Sequence, residues 1–166
     1  MSIEVYVIQI NFCKINAKVQ FCLLVKNLFD EQYENLNDAY RNAIYKCLDP
    51  RLILRIGVPH PGVDQWLQSW AVETLCILTA YNPVSKVHTD AYNKYHHKKL
   101  MKEVTQKGFL CVNGINCDPE GIFPDEATCW IPGMTRDEGK RTALEYHQNA
   151  FVFKRIRVEP MLIWVK

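Results

Sequence analysis

The sequence lacks the short signatures that announce most chemistries. It has no Cys-x-x-Cys pair, no His-x-Glu followed by Pro-Cys-x-x-Cys, no Gly-x-Ser-x-Gly and no glycine-rich phosphate loop. A standard hydrolase, kinase or deaminase therefore has no support. No window reaches the ~18 uninterrupted apolar residues of a membrane span. The amino terminus, MSIEVYVIQINFCKINAKVQFCLLVKN, does not run from a basic start through an apolar stretch to a small-residue cleavage site, so it does not read as a secretory signal. Strong charge of one sign is missing too: the net charge is +2 and the pI is near 8.1, too mild for a nucleic-acid footprint except through a local patch. These absences lead us to expect a soluble, cytoplasmic chain with no membrane partner.

Seven cysteines are present, an odd number, and most stand inside apolar runs such as TLCILTAY and FLCVN. A thiol there behaves as a small hydrophobe, which suits a reducing compartment. The nearest metal-like spacing, Cys111 to Cys117, lacks a second pair, so no metal site is expected.

At 166 residues with 48% hydrophobic and 23% charged residues, the chain has the size and composition of one globular domain. A chain of this length buries roughly 70% of the surface it exposes when unfolded, enough to fold without staples. The stretches 3–10 and 18–26 read as strands. From 30 to 48, Tyr33, Leu36, Tyr40, Ala43, Ile44 and Cys47 recur at helical spacing, and the pattern predicts an amphipathic helix ended by Asp49-Pro50. RLILRIG then reads as a buried strand, followed by a short helix with Val63, Trp66, Leu67 and Trp70 on one face. TLCILTAY reads as a strand buried on both faces, and strand, helix, strand in this order suggests a crossover. A helix is expected over 90–107. FLCVNG, ATCWIPG, AFVFK and PMLIWVK complete the strands, and Thr135 with Glu138 forms a capping-box signal for the last helix. The expected class is α/β or α+β: one layered domain over 1–166 with a mixed β-sheet flanked by about four helices. Within it, 1–38 reads as an N-terminal extension and 39–166 as the core.

The order of LRIGVPHPGVDQWL, LTAYNPVS, CDPEGIFPDEATCWIPGM and ALEYHQNAFVF resembles a bacterial family known as domain of unknown function 3293, from about Ala39 to the carboxyl end. The matching positions are Arg55, Ile56 and Gly57; Tyr81, Asn82, Pro83 and Ser85; Asp118, Pro119, Gly121, Pro124 and Glu126; and Gln148, Asn149 and Ala150. The resemblance implies positions rather than a reaction. The family often has a Glu before the Asn at 93 and an Arg three residues after it, where this chain has Tyr92 and His96, and His147 replaces the usual small residue before Gln148. If the family's site uses that Glu and Arg, their replacement here alters the activity.

Ligands gather at strand ends, where loops open into a crevice. The TAYNPVS turn offers Asn82 and the Ser85 hydroxyl; the plainer alternative is that both make only turn hydrogen bonds while Thr89 or Asp90 caps the next helix. DPEGIFPDE brings together Asp118, Glu120, Asp125 and Glu126, which could hold a cation or simply sit on a surface loop. Glu126 stands out because it immediately precedes an apolar strand. His88, His96 and His97 surround one helix start, but adjacent residues on a helix point about 100° apart, so at most one of the last two can join His88. Gln148 either reaches a ligand or ties the last helix to the sheet. Arg55 interrupts an apolar strand, and a half-buried Arg needs an anionic partner: Glu126 if the strands are adjacent, or an anionic ligand.

The expected site is therefore Arg55, Tyr81, Asn82, Ser85, Glu126 and Gln148 around a small anionic or nucleotide-like ligand. The alternative is a noncatalytic module that contacts protein or nucleic acid through the lysines of the helix 90–107. Cofactor, reaction and oligomeric state stay unassigned by the sequence.

Overall fold

The chain turns from helix to strand where helical spacing predicts that the helix continues. A computed structural model describes residues 36–165 of the chain. A helix, α1, is described over 36–42, and Ile44–Cys47 then forms strand β1 with Tyr45 and Cys47 buried and Lys46 exposed. Ala43 and Cys47 fit a period of two as well as one of 3.6, whereas Ile44 continues the helical face and Tyr45 the strand face. Pairing decides between them: Tyr45 lies opposite Leu54 on one side and Asn116 on the other. The strands expected over 3–10 and 18–26 lie outside the described residues.

After β1 come β2 (Leu52–Leu54), α2 (Pro61–Ser69), β3 (Thr74–Leu78), a 3-10 turn (Pro83–Ser85), α3 (Asp90–Gln106), β4 (Val112–Cys117), β5 (Glu126–Pro132), α4 (Arg136–Glu145), β6 (Ala150–Arg155) and β7 (Met161–Trp164). The seven strands form one sheet in the order β2-β1-β4-β5-β3-β6-β7. Every neighbouring pair is antiparallel. The fold is thus α+β, and the sheet is antiparallel throughout rather than mixed. The helical connections do link strands of the same direction, but another strand always intervenes: β5 stands between β3 and β4, and β3 between β5 and β6. Interleaving of this kind makes each neighbour antiparallel even though the connections are crossovers.

Helices cover both faces. Val63 and Leu67 of α2 pack with Tyr45, Leu54, Leu75, Ile77, Trp130 and Val152. Leu100 and Val104 of α3 and Ala143 of α4 pack with Cys76, Leu78, Cys129, Ile131 and Phe151. Alternate residues of β3 and β5 therefore enter different cores, which is why both strands read as unbroken apolar runs. Cys47, Cys76, Cys117 and Cys129 are buried free thiols, as their apolar surroundings suggest.

Local signals hold the helices in place. Thr89 caps α3 by accepting from Tyr92 N, and Thr135 and Glu138 form the reciprocal capping box of α4. Lys154, 1% exposed, points inward from β6, and its Nζ lies 2.6 Å from Asp64 Oδ1 on α2. The same ammonium donates to Val158 O at 2.9 Å and Arg155 O at 3.3 Å. No helix of the described residues is long and apolar enough to cross a membrane.

Candidate functional site

The segment Tyr40–Lys166 forms one compact unit, and the site lies within it, where β3 leaves the sheet beside the start of β5. Thr79 Oγ1 donates to Ala127 O and accepts from Tyr81 N, both at 2.9 Å, so the exit of β3 is fastened to β5. Asn82 follows with φ 46° and ψ 59°, a left-handed conformation that Asn tolerates better than most residues.

Asn82 joins three elements. Its backbone N–H donates to Asn93 Oδ1 at 3.0 Å, and Asn93 Nδ2 returns a bond to Asn82 Oδ1 at 2.9 Å. Asn82 Oδ1 also accepts from His88 N at 3.0 Å, while Asn82 Nδ2 donates to Glu126 Oε1 at 2.7 Å. Both lone pairs of the Asn82 amide oxygen are therefore used inside the protein. Val84 (φ 50°) and Ser85 (φ 57°) continue in left-handed geometry, which is unusual for a β-branched residue. A bond of 2.8 Å from Val84 N to His147 O holds them, and His147 itself has φ 53°. Backbone strain of this kind gathers at functional sites.

On the outer side, Ser85 Oγ accepts from Asn149 Nδ2 at 2.9 Å and shares a hydrogen bond with Tyr40 OH at 3.1 Å. Gln148 is buried, and its Nε2 donates to Tyr81 O at 3.0 Å and to Tyr146 O at 3.3 Å. It ties the end of α4 to the exit of β3.

Glu126 opens β5 opposite Asn116, and its backbone N–H donates to Asn116 Oδ1 at 3.2 Å. Burial pushes its carboxyl up to about 7, and hydrogen bonds from Asn82 and Asn116 pull it only part of the way back. Burial likewise raises the Tyr40 hydroxyl, with the Ser85 hydrogen bond opposing and the Glu126 charge adding to the rise. The influences on Glu126 are thus desolvation and neutral amides rather than a cation.

Arg55 is not part of this cluster. It lies just past β2 and is exposed, and its backbone N–H donates to His60 Nε2 at 2.7 Å. β2 is three strands from β5, which at the usual interstrand spacing is about 14 Å. An ion pair with Glu126 is excluded by that distance, and the cation that favoured an anionic ligand is removed from the site. The other five residues, Tyr81, Asn82, Ser85, Glu126 and Gln148, are brought together.

The remaining acids and histidines do not converge. Asp118 accepts from the backbone N–H groups of Glu120, Ile122 and Phe123 at 2.8–3.0 Å, and these bonds hold its carboxyl below the ordinary value. It closes its own loop. His88 stacks on Tyr92 at 4.3 Å and Tyr92 on His96 at 4.2 Å. His97 is instead buried edge-on to Tyr81 at 5.9 Å, and burial lowers its pKa. Among the described residues no group of three or more His, Cys, Asp or Glu is placed to hold a metal. Much of the basic face of α3 is internally neutralised: Lys94 pairs with Asp90 at 2.7 Å, Lys99 with Glu103 at 3.7 Å and Lys107 with Glu145 at 3.4 Å.

Sequence reasoning missed Tyr40, Asn93, Asn116 and Asn149 as members of the network. Asn93 and Asn149 had a signal, since both stand at or beside family motif positions. Tyr40 read only as an apolar helix residue, and Asn116 lies outside the strands read from the sequence.

The sequence model of a family described as a protein of unknown function (DUF3293) matches residues 78–151. No curated protein and no solved structure matches the chain. The matched span contains Tyr81, Asn82, Ser85, Asn93, Glu126, Gln148 and Asn149, and leaves out Arg55 and Tyr40. The family resemblance carried by the order of the motifs is therefore supported over residues 78–151, the stretch that builds most of the Glu126 network.

Proposed function

We propose that the end of β3 and the start of β5 form a binding site for a small uncharged ligand rich in hydroxyl or amide groups, with Glu126 as its proton-exchanging carboxyl. The observation that carries this reading is the surroundings of Glu126. The carboxyl is largely desolvated, its hydrogen-bond partners are neutral amides, and its pKa of about 7 lets it donate or accept near neutrality. Ser85, Asn149 and Tyr40 supply hydroxyl and amide groups on the outer side. An acidic group with Arg55 about 14 Å away by strand spacing disfavours the anionic ligand that the sequence suggests. The protein partners of the Asn82 amide oxygen and of the Gln148 amide nitrogen make both residues supports that shape the turn, while Glu126, Ser85 and Asn149 are the groups that meet the ligand.

The test is a thermal-shift and calorimetric screen of neutral sugars, nucleosides and small amides at pH 6 and pH 8. A ligand that binds should raise Tm in proportion to its occupancy, and Asn149→Ala and Ser85→Ala should weaken binding tenfold or more with little change in unliganded stability. If no uncharged compound shifts Tm while anionic ones do, the reading is wrong.

The contact module based on α3 has less support, because three of its lysines already face carboxylates. Its test is capture on a polyanion at low salt: Lys98→Glu with Lys102→Glu should then abolish capture.

A further inference from the structure

Below Glu126 the same face of β5 carries two further polar side chains that no other described residue partners. Side chains two residues apart on a strand share a face, so Glu126, Thr128 and Trp130 form one column on the α2 side. Thr128 is 2% exposed and Trp130 0%. Among the described residues neither Thr128 Oγ1 nor Trp130 Nε1 has a hydrogen-bond partner, although buried polar side-chain atoms nearly always find one. Both lie above one residue: Gly114 pairs directly with Thr128, and the Trp130 indole leans across β4 over that glycine. A Cβ placed on Gly114 would be 2.6 Å from Trp130 Cδ1 and 2.7 Å from the Lys46 carbonyl, and closer still to Nε1. The strand glycine therefore admits the indole beside the backbone position that pairs with Thr128.

The chemistry of the missing partner follows from these two groups. An indole N–H only donates, and a hydroxyl donates or accepts, so the partner must accept from Trp130 and exchange a hydrogen bond with Thr128. Trp130 belongs to an apolar cluster with Tyr45, Leu54 and Ile77 and meets Trp66 edge-on, surroundings in which a full charge would be costly. We propose that a neutral oxygen binds between Trp130 Nε1 and Thr128 Oγ1 and forms the floor of the site whose mouth is Glu126. That oxygen comes either from a held water or from a hydroxyl or carbonyl of a small ligand reaching past Glu126. The inference stands on Thr128 and Trp130 themselves, so it survives if no ligand is found at the mouth.

The test is NMR on the full chain, with the indole proton of Trp130 identified by its disappearance in Trp130→Phe. If water supplies the oxygen, this proton should show a cross-peak to water that glycerol and N-methylacetamide leave unchanged. If a ligand group supplies it, one of those two probes should move the resonance saturably, and Thr128→Val should weaken that effect at least tenfold. In either case Thr128→Val, which keeps the shape and removes the hydroxyl, should lower Tm by about 3 °C, the shift expected for roughly 1 kcal/mol in a chain of this length. An indole proton with neither a water cross-peak nor a probe shift would overturn the proposal. So would a Thr128→Val variant with raised Tm, because that is the response of a hydroxyl that had no partner at all.

Discussion

At position 126 burial and hydrogen bonding pull one carboxyl in opposite directions, and burial wins. The folded carboxyl titrates at about 7 against an ordinary value of 4.5. Below pH 4.5 both folded and unfolded chains hold the proton, and the group is neutral toward stability. Between 4.5 and 7 the unfolded chain releases the proton while the folded one keeps it, so stability falls as pH rises, and above 7 the full penalty remains. Glu126→Gln keeps an oxygen for Asn82 Nδ2 and removes the titration. Relative to the native protein it should gain stability across that window, by up to roughly 3 kcal/mol above pH 7 at 1.36 kcal/mol per pKa unit. Urea unfolding of both proteins at pH 4.5 and pH 8 measures this gain; an equal difference at the two values would show that the carboxyl does not titrate in this way. Glu126 is legible in the sequence as an acid directly before an apolar strand. Its protonation behaviour is not, because desolvation depends on Asn82, Asn116 and the covering chain, none of which is its sequence neighbour.

Element contacts depend on single polar fastenings as much as on apolar area. Helix α2 buries Val63 and Leu67 and is pinned to β6 by the Asp64 to Lys154 pair at 2.6 Å. Removing one member leaves the other charge inside, which typically costs 3–5 kcal/mol, whereas replacing both with apolar groups often costs little. Asp64→Ala should therefore lower unfolding stability by about 3 kcal/mol or more, and Asp64→Leu combined with Lys154→Met should recover over half of the loss. Denaturant titration of the two variants decides; a double variant no better than the single one would mean that Asp64 acts through its bond to Arg157 N at 3.3 Å rather than through the ammonium. The sequence placed α2, α3 and α4 well, because apolar spacing and caps are local. It ran the first helix into β1 because Ala43 and Cys47 satisfy either period and Ile44 extends the helical one, and only the partners on β2 and β4 separate the two.

In the whole molecule, stability should be graded from the middle of the sheet to its edges. β3 and β5 lie centrally and bury side chains in both cores, whereas β2 and β7 are the outermost strands among the described residues. Exposed side chains such as Ile53 at 58% and Met161 at 38% mark those edges. Native-state hydrogen exchange should therefore find the amides of Leu75–Leu78 and Cys129–Ile131 opening only near the global unfolding free energy, with those of β2 and β7 opening several kcal/mol lower. Uniform protection across the sheet would contradict this gradient. The same central position serves the site, because Tyr81 and Glu126 project from the ends of the two most deeply buried strands and inherit their rigidity.

By itself the sequence determined the layered combination of helices and sheet, the capped helices, the doubly buried strands and most of the residues that meet around Glu126. Those features rest on local spacing, on apolar runs and on motifs whose members lie within a few positions of one another. Tertiary structure alone decided that strands joined by crossovers would interleave into an antiparallel sheet, because strand order follows from pairings between distant segments. It also decided that Arg55, three strands away, has no part in the site, that Asn82 spends its side chain on the fold, and that Thr128 and Trp130 face inward without a partner among the described residues. Each of these depends on what lies across the sheet, which the distance along the chain does not encode.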